Sequence, residues 1–124
     1  MGTRSITVIK DANNKNAKVM EIYRQYDGYL DGHGIELAEI LTNTPHNGVH
    51  CLTASIIGGL KQDWGNIYVY APTDNKNLED YSEYYGAEFY YEVIVGDNEI
   101  NLTVWEDFHK EPVHTETITP AREK

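Results

Sequence analysis

The sequence predicts an α+β domain: an antiparallel sheet from two hairpins plus one or two further strands, with two helices packed on one face. Three observations predict this fold. Two pairs of segments alternate polar and apolar side chains around turn residues, a helical apolar stripe lies between them, and no repeat or linker divides the 124 residues. This length is typical of one domain with one core. We therefore expect a single domain over residues 1–118 and a flexible tail over residues 119–124.

The first third of the chain predicts a hairpin, a tight loop and a short helix. Residues 5–9 and 17–26 are rich in β-forming side chains, with turn-forming residues between them. Three glycines within residues 28–34 then mark a loop with an exposed backbone. A short helical pattern follows over residues 35–41. Pro45 breaks it, because the residue before a proline disfavours the helical conformation.

The middle of the chain predicts the most regular helix, over residues 49–64. Apolar side chains recur there at spacings of three and four, as a stripe that faces a core requires; they are Val49, Leu52, Ile56 and Leu60. Gly58 and Gly59 inside this helix indicate a close approach to a sheet or to another subunit. Gly65 is placed to end the helix as its C-cap.

The second half predicts a short strand, a helical turn or two, a hairpin and an edge strand. The short strand covers residues 66–70, and the weak helical pattern covers residues 77–85. From residue 88 onward the side chains alternate with a period of two on both sides of a Gly-Asp-Asn turn, which indicates the second hairpin. Residues 113–119 are polar and β-branched, as expected of an edge strand.

The net charge of −10 is concentrated in one part of the chain. Residues 1–77 carry eight acidic and seven basic side chains, whereas residues 78–111 carry ten acidic side chains and a single basic one, Lys110. Such a surface repels phosphate backbones, so direct nucleic-acid binding is disfavoured. It is either a solvated face or a surface that imitates nucleic acid toward a basic partner.

Several classes of protein have no support in the sequence. No apolar run approaches the roughly 18 residues of a membrane span, and the N-terminus lacks a signal peptide, so we expect a cytoplasmic protein without membrane contact. Cys51 is the single cysteine, which excludes an internal disulfide, and we expect it in the core. The histidines follow no metal-binding pattern, and His46 and His50 are too few for zinc. We assign no metal, no cofactor and no catalytic residue.

Four segments resemble a family of short proteins found in bacteriophages, prophages and bacteria. The segments are residues 1–5, 23–38, 47–54 and 65–70, and the second reads Tyr-Arg-Gln-Tyr-Asp-Gly-Tyr-Leu-Asp-Gly-His-Gly from its start. Members of this family usually carry proline where Leu30 stands. The resemblance covers roughly residues 1–95 and implies a context rather than an activity. A phage accessory protein of this size often binds a host factor or an immune signal.

The loop after the first hairpin is the first candidate site. Arg24 offers a planar fork to a phosphate, the glycine backbones can approach an anion, and the tyrosines can stack on a base. The structural alternative is that Arg24 pairs with Asp27 or Asp31 and that His33 hydrogen-bonds near the helix start. The glycine spacing matches neither a Walker A loop nor a dinucleotide fingerprint. The candidate ligand-binding residues are Arg24, Gln25, Tyr26, Asp27, Tyr29, Asp31 and His33.

The acidic second half is the second candidate site. Tyrosine accounts for ten of the 124 residues, and its rigid ring with a polar tip suits interfaces. The tyrosines at 81, 84 and 85 could build a subunit interface. The candidate partner-binding residues are Glu83, Tyr84, Tyr85, Glu88, Glu92 and Glu99.

These features favour a noncatalytic binding protein, a phage-encoded inhibitor of host defence that works as a small homo-oligomer in the host cytoplasm. It would sequester a small anionic, nucleotide-like signalling molecule, as a nucleotide sponge does, or a host defence protein. One alternative is an acidic nucleic-acid mimic that blocks the basic groove of a host nuclease complex, as an anti-CRISPR protein would. The other is a small hydrolase acting on a phosphorylated or nucleotide ligand, with Asp27 and His33 as acid–base groups.

Overall fold

Six strands and three α-helices make up the computed structural model, which describes residues 2–62, 64–107 and 110–120. The strands are β1 (Ser5–Asp11), β2 (Ala17–Arg24), β3 (Ile67–Tyr70), β4 (Phe89–Val95), β5 (Ile100–Glu106) and β6 (His114–Ile118). The helices are α1 (Ile35–Asn43), α2 (Val49–Leu60) and α3 (Leu78–Tyr85), and a π-helical turn (Leu30–Gly34) leads into α1. The predicted α+β class is confirmed.

The strands form one sheet in the order β3-β2-β1-β4-β5-β6. The two predicted hairpins, β1–β2 and β4–β5, are present and antiparallel. Their first strands, β1 and β4, lie side by side in parallel at the centre of the sheet. Parallel neighbours need a long crossover, and the helical middle of the chain provides it. The sheet is therefore antiparallel except at its centre.

The α1 and α2 helices cover one face of the sheet, as predicted. The apolar stripe of α2 is buried against the strands. The helix ends at Leu60, however, and not near residue 64. The side-chain amide of Asn66 donates to the Leu60 carbonyl at 2.8 Å and so satisfies a carbonyl at the helix end. Gly65 is accordingly not a C-cap; it has a positive φ of 85° in the turn before β3.

Of two expectations about α2, the one about its glycines is partly right and the one about Cys51 is wrong. A Cβ at Gly59 would lie 2.7 Å from Cδ1 of Ile40, so the close approach is real, but it is to α1 and not to the sheet or another subunit. A Cβ at Gly58 would meet nothing within 4 Å. Cys51 was expected in the core and is exposed, because it lies off the buried stripe of the helix.

The α3 helix packs on the opposite face of the sheet. Its N-cap is Asn77, whose side chain accepts from the backbone N–H of Asp80 at 2.9 Å, and its C-cap is Gly86 in the left-handed conformation. Tyr81 of this helix packs with Ile6 of β1 and with other buried side chains in a second, smaller core. The two faces of the sheet thus differ in composition: the core under α1 and α2 is mostly aliphatic, with Phe89 and Tyr91 as its aromatic members, and the smaller core under α3 is rich in aromatic side chains.

β3 and β6 are the two edges of the sheet, and the predicted edge strand at the C-terminal end is confirmed as β6. Of the predicted tail, residues 121–124 lie outside the described part of the chain. Within the ranges that the structure describes, no helix is both long and apolar enough to cross a membrane.

Candidate functional site

Arg24, the centre of the first candidate site, points into the protein. It lies at the end of β2 and is 2% exposed. Its Nε donates to the Tyr26 carbonyl at 2.7 Å, and its Nη1 donates to Oε2 of Glu36 at 2.7 Å. Arg24 therefore pairs with an acidic residue of its own chain, as the structural alternative expects. The partner, however, is Glu36 of α1 and not Asp27 or Asp31.

His33 is fully buried next to Arg24. Arg24 Nη1 lies 3.3 Å from His33 Nδ1, and Thr7 Oγ1 lies 2.6 Å from His33 Nε2. Because a guanidinium can only donate, Nδ1 is the acceptor, and Nε2 carries the proton and donates to Thr7. Burial, reinforced by the positive charge of Arg24, lowers the pKa of His33 from 6.5 to about 3. The imidazole is neutral at physiological pH, and it packs edge-on against Tyr91.

The loop backbone closes around this histidine. The backbone N–H of His33 donates to the Asp27 carbonyl at 2.8 Å, and the Tyr91 hydroxyl donates to the Gly28 carbonyl at 2.7 Å. A Cβ on Gly28 would lie 2.9 Å from the backbone nitrogen of Ser5, so the glycine permits close packing on β1. Asp27 and His33 meet through the backbone, and their side chains do not form the acid–base pair that the hydrolase alternative needs.

The seven predicted ligand-binding residues separate into two groups. Arg24 and His33 are buried inside the loop. The other five are on the surface, and they are Gln25, Tyr26, Asp27, Tyr29 and Asp31. A ligand on the surface of this loop would therefore not meet the arginine that suggested an anion site.

The predicted partner-binding residues also separate. Four are exposed, and they are Glu83, Tyr84, Glu88 and Glu99. Glu92 is half-buried and forms an ion pair with Lys10 at 2.7 Å. Tyr85 is half-buried, and its hydroxyl donates to Oε1 of Glu21 at 2.9 Å. Glu92 and Tyr85 therefore belong to networks inside the α3 face. The other four residues are on the surface, where Oε2 of Glu88 accepts from the backbone N–H of Arg4 at 3.1 Å.

Glu21 anchors the α3 side of the sheet, a role not foreseen from the sequence. Its side chain is fully buried on β2 and accepts hydrogen bonds from the hydroxyls of Tyr81 and Tyr85 and from the backbone and hydroxyl of Thr73. Burial alone raises the pKa of this carboxyl, but these hydrogen bonds outweigh it, and the pKa is lowered. The ammonium of Lys18 also contacts Glu21, Tyr81 and the carbonyls of Thr73 and Asn75. One carboxylate thus fixes both α3 and the loop before it.

A row of aromatic rings crosses the same face. Tyr23 stacks on Tyr85 with ring centroids 5.8 Å apart, and Tyr81 lies between Tyr85 and Tyr90. The row ends at Trp105 of β5, whose indole stacks on Tyr90 at 4.8 Å with an interplanar angle of 16°. The excess of tyrosine in the composition is therefore concentrated largely on one face of the sheet.

A pocket of about 480 Å³ lies at the Trp105 end of this row, between the start of α3 and the strands β4 and β5. Tyr90 and Trp105 contribute its aromatic wall, and Leu78 adds an aliphatic side chain. The remaining lining residues are polar or charged, and they are Lys76, Asn77, Glu79, Glu92 and Lys110. The pocket thus combines a stacked aromatic pair with two lysines, of which Lys76 directly precedes the N-cap residue of α3.

The electrostatics of this pocket differ from those of the surrounding acidic half. Lys110 is the only basic residue among residues 78–111, and it lines the pocket together with Lys76. Glu92 is compensated by Lys10, and its Oε2 also accepts from the Tyr90 hydroxyl at 3.2 Å. The N-terminal end of α3 adds partial positive charge. The lining thus carries two basic side chains and two acidic ones, Glu79 and Glu92, so the pocket is less acidic than the rest of residues 78–111.

The pocket is not predicted from the sequence, although two sequence features lie at it. Asn77 followed by Asp80 is a helix-capping pattern at the start of α3. Lys110 is the one base in a strongly acidic segment. Neither signal shows that Lys76 and Trp105 lie near each other, because that depends on how α3 folds back over the sheet.

Within residues 2–62, 64–107 and 110–120, no group of three or more histidine, cysteine, aspartate or glutamate side chains could hold a metal ion. His46 accepts from the backbone N–H of Gly48 at 3.0 Å, and His114 contacts Glu116 at 3.0 Å. His109 lies outside the described residues.

Comparison of this chain with protein-family models, with curated proteins and with solved structures finds no match.

Proposed function

We propose that this chain is a noncatalytic binding protein for a small planar anion of the nucleotide class, held in the pocket between α3 and the β4–β5 hairpin. The observation that carries the proposal is the stacked Tyr90–Trp105 pair beside Lys76 and Lys110. Aromatic side chains stack on any nucleobase, and a stacked base contributes about 1–3 kcal/mol. Lysine binds phosphate as a point charge.

The proposal keeps the expected class of ligand and moves its site. The expected site was the loop that contains Arg24, but Arg24 makes its hydrogen bonds within the protein. Lys76 and Lys110, by contrast, line a cavity. A volume of about 480 Å³ is in the range of small-molecule sites. The wider role, in which binding removes a signalling molecule of host defence, rests on the family resemblance and remains a prediction.

The test is a fluorescence titration of the protein with AMP, GMP, CMP and UMP, and with inorganic phosphate for comparison. The chain has two tryptophans, so Trp64→Phe leaves Trp105 as the only indole reporter. We expect saturable quenching by the nucleotides and weaker binding of phosphate alone. A protein that gives no saturable signal with any nucleotide at millimolar concentration does not have this function.

Matched variants locate the binding site. Lys76→Ala and Lys110→Ala should each weaken nucleotide binding by about tenfold or more, because each removes a charge-assisted contact of roughly 1.5–3 kcal/mol. Lys61→Ala, which removes an exposed lysine outside the pocket, should leave the dissociation constant unchanged. Equal effects of all three variants would point to a nonspecific charge effect and not to a pocket.

Recovery of the ligand separates binding from catalysis. After incubation with AMP, the protein is denatured and the nucleotide is identified by mass spectrometry. A binding protein returns AMP intact, whereas a hydrolase returns adenosine and phosphate or other fragments. Complete conversion would replace the proposal with the enzyme alternative.

A further inference from the structure

One edge of the sheet is open and apolar. β3 pairs with β2 alone, and its Tyr68, Val69 and Tyr70 side chains are 44%, 42% and 42% exposed. Edge strands are normally protected by charged side chains, proline or bulges. β3 contains none of these: it has no charged residue and no proline, and its register with β2 is regular.

The other edge of the sheet is protected. β6 carries the acidic side chain of Glu116, which His114 contacts at 3.0 Å, and its exposed residues are the threonines Thr115 and Thr117. The absence of such protection on β3 is therefore a property of that strand and not of the whole sheet.

The open edge presents regular hydrogen-bonding groups. The backbone N–H of Gln25 donates to the Asn66 carbonyl at 3.0 Å, and these residues continue the register that pairs Arg24 with Ile67. Because antiparallel strands alternate between residues that bond inward and outward, Tyr68 and Tyr70 direct their backbone groups toward β2. Ile67 and Val69 therefore direct theirs to the open edge.

Charge determines what can occupy this edge. Each copy of the chain carries a net charge of −10, so two copies repel each other unless they meet where acidic side chains are absent. Residues 64–73 contain no charged side chain. This uncharged edge suits a second copy of the same strand and offers a basic partner nothing to recognise.

We propose that two copies of this chain associate through β3, antiparallel across a twofold axis at Val69, to form one continuous sheet. In this register Val69 lies opposite Val69 of the second copy, and Tyr68 lies opposite Tyr70 on the α3 face. The outward-facing backbone groups of Val69 form a reciprocal pair of hydrogen bonds. Cross-strand aromatic pairs then extend the tyrosine row from one copy into the other.

The twofold register allows a charge-swap test by sedimentation equilibrium. Wild type should have twice the monomer mass of 14.2 kDa. Val69→Glu and Val69→Lys should each weaken the dimer by about tenfold or more, because each places like charges opposite one another in place of an apolar pair. An equimolar mixture of the two variants should restore the dimer. Thr115→Glu on β6 is the matched control and should leave the mass unchanged.

Disulfide trapping provides a second test of the dimer, and its variants introduce no charged side chain at the interface. Opposed Cα atoms in a hydrogen-bonded antiparallel pair lie about 5.5 Å apart, within disulfide range. Val69→Cys in a Cys51→Ser background should therefore form a covalent dimer under mild oxidation, and Thr115→Cys in the same background should not. The proposal is overturned if the wild type is a monomer at all concentrations. It is also overturned if the wild type is a dimer but mixing the two charged variants does not restore the dimer and Val69→Cys does not form a covalent dimer.

Discussion

At the scale of single residues, Arg24 and His33 of the first candidate site stabilise the fold through buried contacts. Arg24 and His33 are nine positions apart, and the sequence correctly marks them as unusual. Their partners are Glu36 on the next helix and Thr7 on the first strand. A sequence pattern cannot separate an arginine that binds a phosphate from one that binds a glutamate of its own chain, because both contacts use the same planar fork. Burial decides between them, and burial follows from the tertiary fold.

The neutral, buried His33 makes stability depend on pH. Its pKa is about 3 when folded and near 6.5 when unfolded, so between these values the unfolded chain binds more protons. The stabilisation is complete above pH 6.5 and is lost as the pH falls. We expect the free energy of unfolding to decrease by up to about 1.4 kcal/mol per pH unit in this window.

Denaturant unfolding at a series of pH values measures this effect. In His33→Gln, the free energy of unfolding should depend less on pH below pH 6.5, down to the range where carboxylates begin to titrate. His50→Gln, which replaces an exposed histidine on α2, should retain the wild-type slope. An unchanged slope in His33→Gln would show that other groups account for the pH dependence.

At the scale of elements, periodicity predicted most of the fold and tertiary contacts set the rest. The sequence predicts α2 because its apolar residues recur at helical spacing, and it predicts both hairpins because polar and apolar side chains alternate in their strands. The end of α2 cannot be predicted from periodicity, because the side chain that satisfies the Leu60 carbonyl belongs to Asn66, six residues later in a separate turn. The candidate pocket was missed for a similar reason, since Lys76 and Trp105 belong to segments far apart in sequence.

The two adjacent glycines of α2 should respond differently to substitution. Gly58→Ala meets no atom within 4 Å, so the gain in helix propensity should raise the free energy of unfolding by up to about 1 kcal/mol. Gly59→Ala gains the same propensity, but its Cβ would press on Ile40 at 2.7 Å. We expect Gly59→Ala to be less stable than Gly58→Ala in denaturant unfolding. Equal stabilisation by both would show that Ile40 moves aside without strain.

At the scale of the whole molecule, the parallel pair at the centre of the sheet joins the two halves of the chain. β1 from the near-neutral half lies between β2 and β4, and β4 comes from the acidic half. Glu21 on β2 depends on Tyr81 and Tyr85 from the other half for its hydrogen bonds. The uneven charge along the sequence is therefore not a boundary between folding units.

This topology predicts that residues 1–75 do not fold alone. In a fragment of residues 1–75, β1 would become an open edge, and Ile6 and Val8 would lose the cover of α3. The carboxylate of Glu21 would also lose two of its hydrogen-bond donors, the hydroxyls of Tyr81 and Tyr85, and would keep only Thr73 and Lys18 as partners. The loss of hydrogen bonds to a buried charged group is destabilising. We expect this fragment to show no cooperative unfolding by circular dichroism, and the addition of residues 76–124 to restore the transition. A cooperative transition of residues 1–75 by themselves would instead divide the chain into two domains.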